Sequence, residues 1–435
     1  MAIYNKKAEC MSREEMRKVQ SENLINLVQT VYKNVPFYKK RMDEAGVKPA
    51  DIKSIDDIVK LPFTTKKDLR DNYPHGLLAV PQGEIVRIHA SSGTTGKPTV
   101  VGYTQNDIDI WSEVMARSLV SCGLSKDSVL QVSFGYGLFT GGLGAHYGSE
   151  KIGAATIPMS SGNSLKQLLL MQDLDVTAIC CTPSYAYYLA ELLEKEKTPL
   201  SALKLRVGIF GAEPWSENIR KAIEEKLNIK AYDIYGLSEI IGPGVSIDCE
   251  EISGAHIQED HFYPEIIDPE TLKVLSAGEQ GELVFTTLTK TGMPLIRYRT
   301  RDISALIPEK CKCGRTTVRM QKILGRDDDM LIIRGINVFP SQVESVILQK
   351  QEYFAPHYQI VVTRAGALDN LEVQVEVLES IDYKDEILMA KLAASLDKLL
   401  QSVLNIKTKI TLKRPGEVPR SEGKAKRVVD LRQNI

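Results

Sequence analysis

The apolar positions of this chain change period along its length. Leu24, Leu27, Val28 and Val31 recur at the spacing of one helix face, so residues 12–45 read as helices. Ser12 followed by Glu15 is a capping-box pattern at the start of that run, and Pro36 ends it. Within residues 56–70, Thr64 or Thr65 caps a short helix with Lys66 near its start. Residues 104–121 form an amphipathic helix, capped by Thr104 with Asp107 three residues on. Short β-rich runs follow at 129–134, 154–158, 178–181, 207–210 and 231–234. They alternate with helical segments at 165–172, 183–195 and 217–226. That alternation predicts an α/β fold with a mainly parallel, helix-covered sheet. Ligands of such sheets sit at the carboxyl ends of strands, where residues 211–215 and 235–239 fall.

The period shortens after residue 245. Residues 265–268, 281–287 and 303–307 read as short strands with turn signals, predicting a β-rich subdomain over about 245–320. From about residue 329 a compact unit follows: a helix at 341–349, a hairpin from 358–363 and 372–378, a helix at 383–404 and a strand at 409–413. The expected division is a large domain over residues 1–327 and a small α+β domain over 328–435, joined by a hinge.

A chain of 435 residues is long enough for two such domains. Its 55 basic and 56 acidic residues leave a net charge of −1, which favours neither nucleic acid nor a membrane surface. Residues 1–10 are polar and carry no apolar signal core, and no apolar run reaches membrane-spanning length. The expectation is a soluble cytoplasmic protein, possible as a homodimer, with its seven cysteines mostly reduced.

One stretch is built for an anion. Ser91, Ser92, Gly93, Thr94, Thr95, Gly96 and Lys97 set two glycines, four hydroxyls and a lysine between the apolar runs 84–89 and 99–103. Glycines let backbone N–H groups converge, and the hydroxyls and lysine add donors, which suits a polyphosphate. A Walker loop is excluded: only Thr94 and Thr95 separate the glycines, and Pro98 follows Lys97 where a Ser or Thr would open a helix. Pro98 also holds Lys97 extended. Tyr136 and Phe139 stand among glycines 135, 137, 141 and 142, a setting that leaves a slot for a flat ligand. Cys311 and Cys313, with Cys249 and His256 in the same β-rich region, make a three-Cys, one-His set suited to closed tetrahedral Zn²⁺. His261 is the reserve imidazole.

Several of these motifs stand together in one order. The loop at 91–97 is followed by Tyr235-Gly236-Leu237-Ser238-Glu239, Tyr298-Arg299-Thr300-Arg301-Asp302, Gly325-Arg326-Asp327-Asp328-Asp329 and Gly423-Lys424. Together they resemble the adenylate-forming enzymes. Gly211-Ala212-Glu213-Pro214-Trp215 and the run Ile332 to Pro340 resemble its phenylacetate–CoA ligase family, over essentially the whole chain.

The resemblance implies ATP-dependent, AMP-forming ligation of an aryl acid, phenylacetate foremost, to coenzyme A through an acyl-adenylate. The ligands would be the acid, ATP, CoA and Mg²⁺, the last at Glu239, since Mg²⁺ takes few carboxylates and shares phosphate oxygens. It implies Lys66 and Ser91–Lys97 on the nucleotide phosphates, Asp302 on the ribose, Gly211, Ala212, Glu213, Asp233 and Tyr235 about the adenine, and Pro214, Gly236, Ser238 and Arg326 as further nucleotide-binding residues. Ala212 and Ile240 join Tyr136 and Phe139 at the acid. Lys424 would serve catalysis with Glu239; Lys426 stands close by, and one residue fewer than in the family pattern separates Pro419 from Gly423. Asp328 would be the hinge, since three like charges favour an exposed turn. Indoleacetate or another arylacetate, a non-CoA acceptor, and an AMP-binding regulatory protein without ligase activity are the alternatives.

Overall fold

A computed structural model of the chain describes residues 2–91, 98–326, 331–333, 336–365, 368–404, 406–420 and 427–432. Two compact units emerge. One comprises Met1–Cys181, Leu203–Ala212 and Lys230–Lys322; the other comprises Thr182–Ala202, Glu213–Ile229 and Ile323–Ile435.

The first unit opens with the helices its caps predict. Ser12 and Glu15 close a reciprocal capping box on the helix Arg13–Asn34, satisfying two of its orphan N–H groups. Pro36 ends that helix and also opens the next, Pro36–Glu44, from its first turn. Thr65 with Asp68 caps Lys66–Asp71, and Thr104 with Asp107 caps Gln105–Ser121. Among the described residues, the largest sheet has nine strands. Ala155–Ile157, Val129–Val132, Ala178–Cys181, Val207–Gly211 and Lys230–Leu237 run parallel in that spatial order. Gly242–Ile247, Ala255–Ile257, Arg319–Met320 and Leu306–Ile307 continue it antiparallel, so the sheet is mixed. Phe262–Ile267, Gly281–Thr287 and Tyr298–Ser304 form an antiparallel meander instead. The β-rich residues 245–320 are therefore divided between two sheets.

A third, smaller element is the hairpin of Arg87–Ser91 and Thr99–Tyr103, in which Ser91 pairs with Thr99. It brackets residues 92–97, which lie outside the described residues.

In the second unit, Phe354–Ala365 and Leu368–Val377 form the antiparallel hairpin, with Lys409–Lys413 and Val428–Asp430 parallel on its two sides. Leu392, Leu396, Leu400 and Leu404 line one face of the helix Glu386–Leu404 at four-residue spacing and bury it in a core with Ile360, Val362, Val373 and Val375. The helices Pro183–Lys195 and Glu217–Leu227 belong to this unit, where His357 pairs with Glu191 at 2.9 Å.

His89 gives the first unit an acid-sensitive point. Its Nδ1–H donates to the Leu138 carbonyl at 3.0 Å, and its ring stands edge-on to Tyr103 and Trp111. Its Nε2 is buried with no partner among the described residues. Burial holds its pKa below the ordinary imidazole range. As pH falls below about 6.5, the unfolded chain takes up a proton that the folded chain refuses, so stability is lost. His89→Leu should lose less stability than the wild type between pH 7.5 and 5, read from urea midpoints. Equal losses would exclude His89 as the source.

A candidate nucleotide and acyl site

The strand Lys230–Leu237 ends in a turn, residues 238–241, before Gly242–Ile247 runs back beside it. Only glycine fits at 236: a Cβ there would lie 1.8 Å from the Gly242 carbonyl oxygen. The turn carries Glu239 inward. Its Oε1 lies 3.3 Å from the Ser91 Oγ and 3.5 Å from the Lys66 Nζ. Three separate elements thus meet: a strand end, the first residue of the phosphate-type loop, and the first residue of the helix capped by Thr65. The Glu239 side chain is only 5% exposed against 31% for Lys66, so the carboxylate is desolvated while the ammonium keeps access to water. A carboxylate beside a hydroxyl offers hard oxygen ligands, the donor set Mg²⁺ prefers.

The carbonyl oxygens of the same turn have donors of their own. The Tyr103 hydroxyl sits 3.0 Å from the Ser238 carbonyl and 3.2 Å from that of Ile241. Lys290 Nζ donates to the carbonyls of Glu239 at 3.1 Å and Ile240 at 2.7 Å. The Lys290 ammonium also stands 4.7 Å above the Tyr103 ring centroid. Burial pushes its pKa down to about 8. Sequence reasoning passed over both residues, because a Tyr ending a strand and a Lys in a Thr-rich turn carry no motif.

The strand ends beside this turn hold the next group. Tyr235 donates its hydroxyl proton to Asp302 Oδ2 at 2.6 Å. Gly211 pairs with Ile234 across parallel strands, where a Cβ would lie 2.1 Å from the Ile234 carbonyl oxygen. Ala212 follows at φ +70, a conformation that costs a residue with a Cβ about 1 kcal/mol. The Asp233 N–H donates to Asp248. Glu213 and Pro214 belong to the second unit, in which Glu213 accepts the Ser184 N–H at 2.8 Å. Arg326 ends the strand Gly325–Arg326. Ser92, Gly93, Thr94, Thr95, Gly96, Lys97, Asp328, Lys424 and Lys426 lie outside the described residues.

Tyr136 and Phe139 are half-buried between the strand Val129–Val132 and the helix Gly141–Lys151. Phe139 packs against Phe134 at 6.2 Å between centroids. The Tyr136 hydroxyl meets His146 Nδ1 at 3.2 Å, and His146 Nε2 meets Glu150 at 3.2 Å. Thr140, next to Phe139, reaches Ser238, next to Glu239, at 3.1 Å. Ile240 is fully buried in the same turn. The aromatic segment and the carboxylate turn are therefore neighbours.

A second cluster sits at the antiparallel end of the large sheet. Cys249, His256, Cys311 and Cys313 bring their ligand atoms within 4.8 Å of one another. Cys249 and Cys311 are 3.6 Å apart between sulfurs, and Cys313 Sγ is 3.3 Å from His256 Nε2. A zinc tetrahedron has S–S edges of about 3.8 Å and S–N edges of about 3.5 Å, from ordinary Zn–S and Zn–N lengths. The four residues fit that geometry. Gly314, at φ +88, turns the chain after the Cys-x-Cys pair. His256 Nδ1 contacts Thr317 Oγ1 at 2.9 Å, which leaves Nε2 toward the sulfurs. His261 contacts Thr289 instead. None of the seven cysteines is in a disulfide.

Residues 10–289 match the family model of AMP-binding enzymes, and 335–432 match that of the AMP-binding enzyme C-terminal domain. The phenylacetate–coenzyme A ligase of Thermus thermophilus is 51% identical over 99% of this chain and 100% of its own. That of Escherichia coli is 52% identical over 98% of this chain and 97% of its own. Among solved structures, a 2-hydroxyisobutyryl-CoA ligase in its postadenylation state superposes with a TM-score of 0.93 at 28% identity, over 99% of this chain and 93% of that one. With matches spanning nearly every residue, this chain belongs to the phenylacetate–coenzyme A ligase family of AMP-binding enzymes.

Proposed function

We propose that this protein joins an arylacetic acid, phenylacetate foremost, to coenzyme A through an acyl-adenylate. The convergence of Ser91, Lys66 and Glu239 on one point carries the reading, and relatives of that name at about half identity support it. In the first half-reaction the substrate carboxylate oxygen attacks the α-phosphorus of ATP, and pyrophosphate leaves. In the second, the CoA thiolate attacks the acyl carbonyl, and AMP leaves. No covalent enzyme intermediate is required.

The residues divide the work by charge. Ser91 and residues 92–97 cradle the phosphates, and Lys66 adds a cation beside them. Glu239 and Ser91 would hold Mg²⁺, which supplies charge neutralisation at the phosphate oxygens. Asp302, oriented by Tyr235, accepts hydrogen bonds from the ribose. Gly211 and Ala212 leave room at the adenine, with Asp233 and Tyr235 at its border. Lys424 sets a cation against the α-phosphate as negative charge moves there. Asp328 marks the hinge between the two half-reactions, between residues 1–327 and 328–435. Tyr136, Phe139, Ala212 and Ile240 border the aryl ring. Cys249, His256, Cys311 and Cys313 would hold a structural zinc, since four protein ligands leave no open position.

Pyrophosphate release with a panel of acids, followed by detection of the thioester, is the decisive test. Phenylacetate should give the highest kcat/KM. Release without thioester, or activity confined to short aliphatic acids, would sink the reading.

Three further outcomes are expected. Lys424→Ala should lose acyl-adenylate formation by about 100-fold or more, the scale of removing one electrostatic group, with thioester formation from supplied acyl-AMP little changed. An equal loss in both half-reactions, or an effect in Lys426→Ala alone, would reassign the lysine. Phe139→Ala should erode the preference for aryl over short aliphatic acids, by about tenfold in the ratio of kcat/KM, the scale of a lost ring contact. Elemental analysis of protein purified without added metal should find one zinc per chain. Cys311→Ser should then lower the melting temperature and leave ATP affinity intact, because the ligands lie apart from the phosphate residues. Zinc-free protein of full stability would reduce the four residues to ordinary thiols and an imidazole.

A further inference from the structure

Among the described residues, the turn that carries Glu239 presents four consecutive carbonyl oxygens, 238 to 241, to two side chains: the Tyr103 hydroxyl and the Lys290 ammonium. Buried carbonyls need donors, but neutral donors suffice for that. A buried ammonium is far costlier to desolvate than a hydroxyl or amide. Lys290 is 3% exposed and its hydrogen bonds go to carbonyls, with Asp107 and Glu239 acting on it through space. The cation therefore does something a neutral donor would not.

We propose that Lys290 is a positioning residue for the phosphate-activating step: with Tyr103 it pins the backbone of Glu239, so that the carboxylate is held toward Ser91 and Lys66. This rests on the reading of Glu239 as the residue that meets the metal–phosphate group.

The lysine is itself anchored. Asp107, fully buried, accepts the Thr291 N–H at 2.6 Å and the Gly292 N–H at 2.9 Å, while its Oδ2 also takes the Thr104 N–H at 3.0 Å. The turn bearing Lys290 is thus tied to a helix N-terminus. Tyr103 adjoins that helix and ends the strand leaving residues 92–97. One hydroxyl and one ammonium therefore join the phosphate loop's exit strand to the Glu239 turn. The buried ammonium also attracts the Glu239 carboxylate through space, at the spot where phosphate charge would repel that carboxylate.

The test compares Lys290→Met, Lys290→Arg and Tyr103→Phe with Glu239→Gln. ATP binding is measured by calorimetry with Mg²⁺ and with chelator, and amide exchange is followed in the peptide over residues 237–242. Lys290→Met should weaken ATP binding in Mg²⁺ by about tenfold or more, a 1.4 kcal/mol effect, with less than about twofold change in chelator. Exchange at 238–241 should rise. Tyr103→Phe should move both in the same direction by less, and Lys290→Arg should recover part of the Mg²⁺-dependent affinity. Tyr103→Phe decides the matter if Lys290→Met fails to fold. Wild-type Mg²⁺-dependent affinity in both Lys290→Met and Tyr103→Phe, with affinity lost in Glu239→Gln, would overturn the proposal alone. An unchanged Mg²⁺ response in Glu239→Gln would overturn the Glu239 reading and the proposal with it.

Discussion

A polypeptide that turns its carbonyl oxygens into a dry interior must supply donors there, and this fold does so at residues 238–241. That requirement reaches outward through the first unit. It needs Gly236, so that the strand end can touch Gly242. It needs Tyr103 at the end of one hairpin strand and Lys290 in a turn of the meander. Lys290 in turn needs Asp107 to hold its own turn. Glu239 stands in that turn, so its carboxylate inherits the rigidity of all four. The carboxylate has Ser91 and Lys66 beside it, and the satisfied backbone fixes where it starts.

What could be read from the sequence follows from the range of the forces involved. Caps act within three residues, so Ser12 with Glu15, Thr65 with Asp68 and Thr104 with Asp107 set helix starts that the structure repeats. Strand-helix alternation is equally local, and the five parallel strands lie where apolar runs marked them. Glu239 was legible through its surrounding motif. Lys290 and Tyr103 were not, since their partners lie 51 and 135 residues away. The same limit applied at residues 245–320. Periodicity marks strands but not neighbours, so it gave no sign that Gly242–Ile247 and Arg319–Met320 would join the large sheet while Gly281–Thr287 would not.

The Cys/His cluster belongs to the sheet's antiparallel end and is braced from the chain's other extreme. Arg315, two residues after Cys313, donates to Glu9 at 2.6 Å, both side chains under 5% exposed, and to the Ala2 carbonyl. Thr316 bonds the backbone of Glu9 and Met11, and Arg13 pairs with Glu259. The cysteine turn is thus held on one side by sheet pairing and on the other by the N-terminal segment.

That brace sets an order of events during synthesis. Glu9 and Arg315 are 306 residues apart in the chain. At a translation rate of roughly 5–20 residues per second, Glu9 waits about 15–60 s on the ribosome before its partner is made. The parallel strands between residues 129 and 237 can pair in that interval, because each emerges soon after its neighbour. Glu9 is therefore made long before Arg315, and their pairing is among the late contacts of this unit. Until Arg315 and Thr316 are made, the Glu9 carboxylate and the carbonyls of Glu9 and Met11 lack the donors that the folded chain gives them.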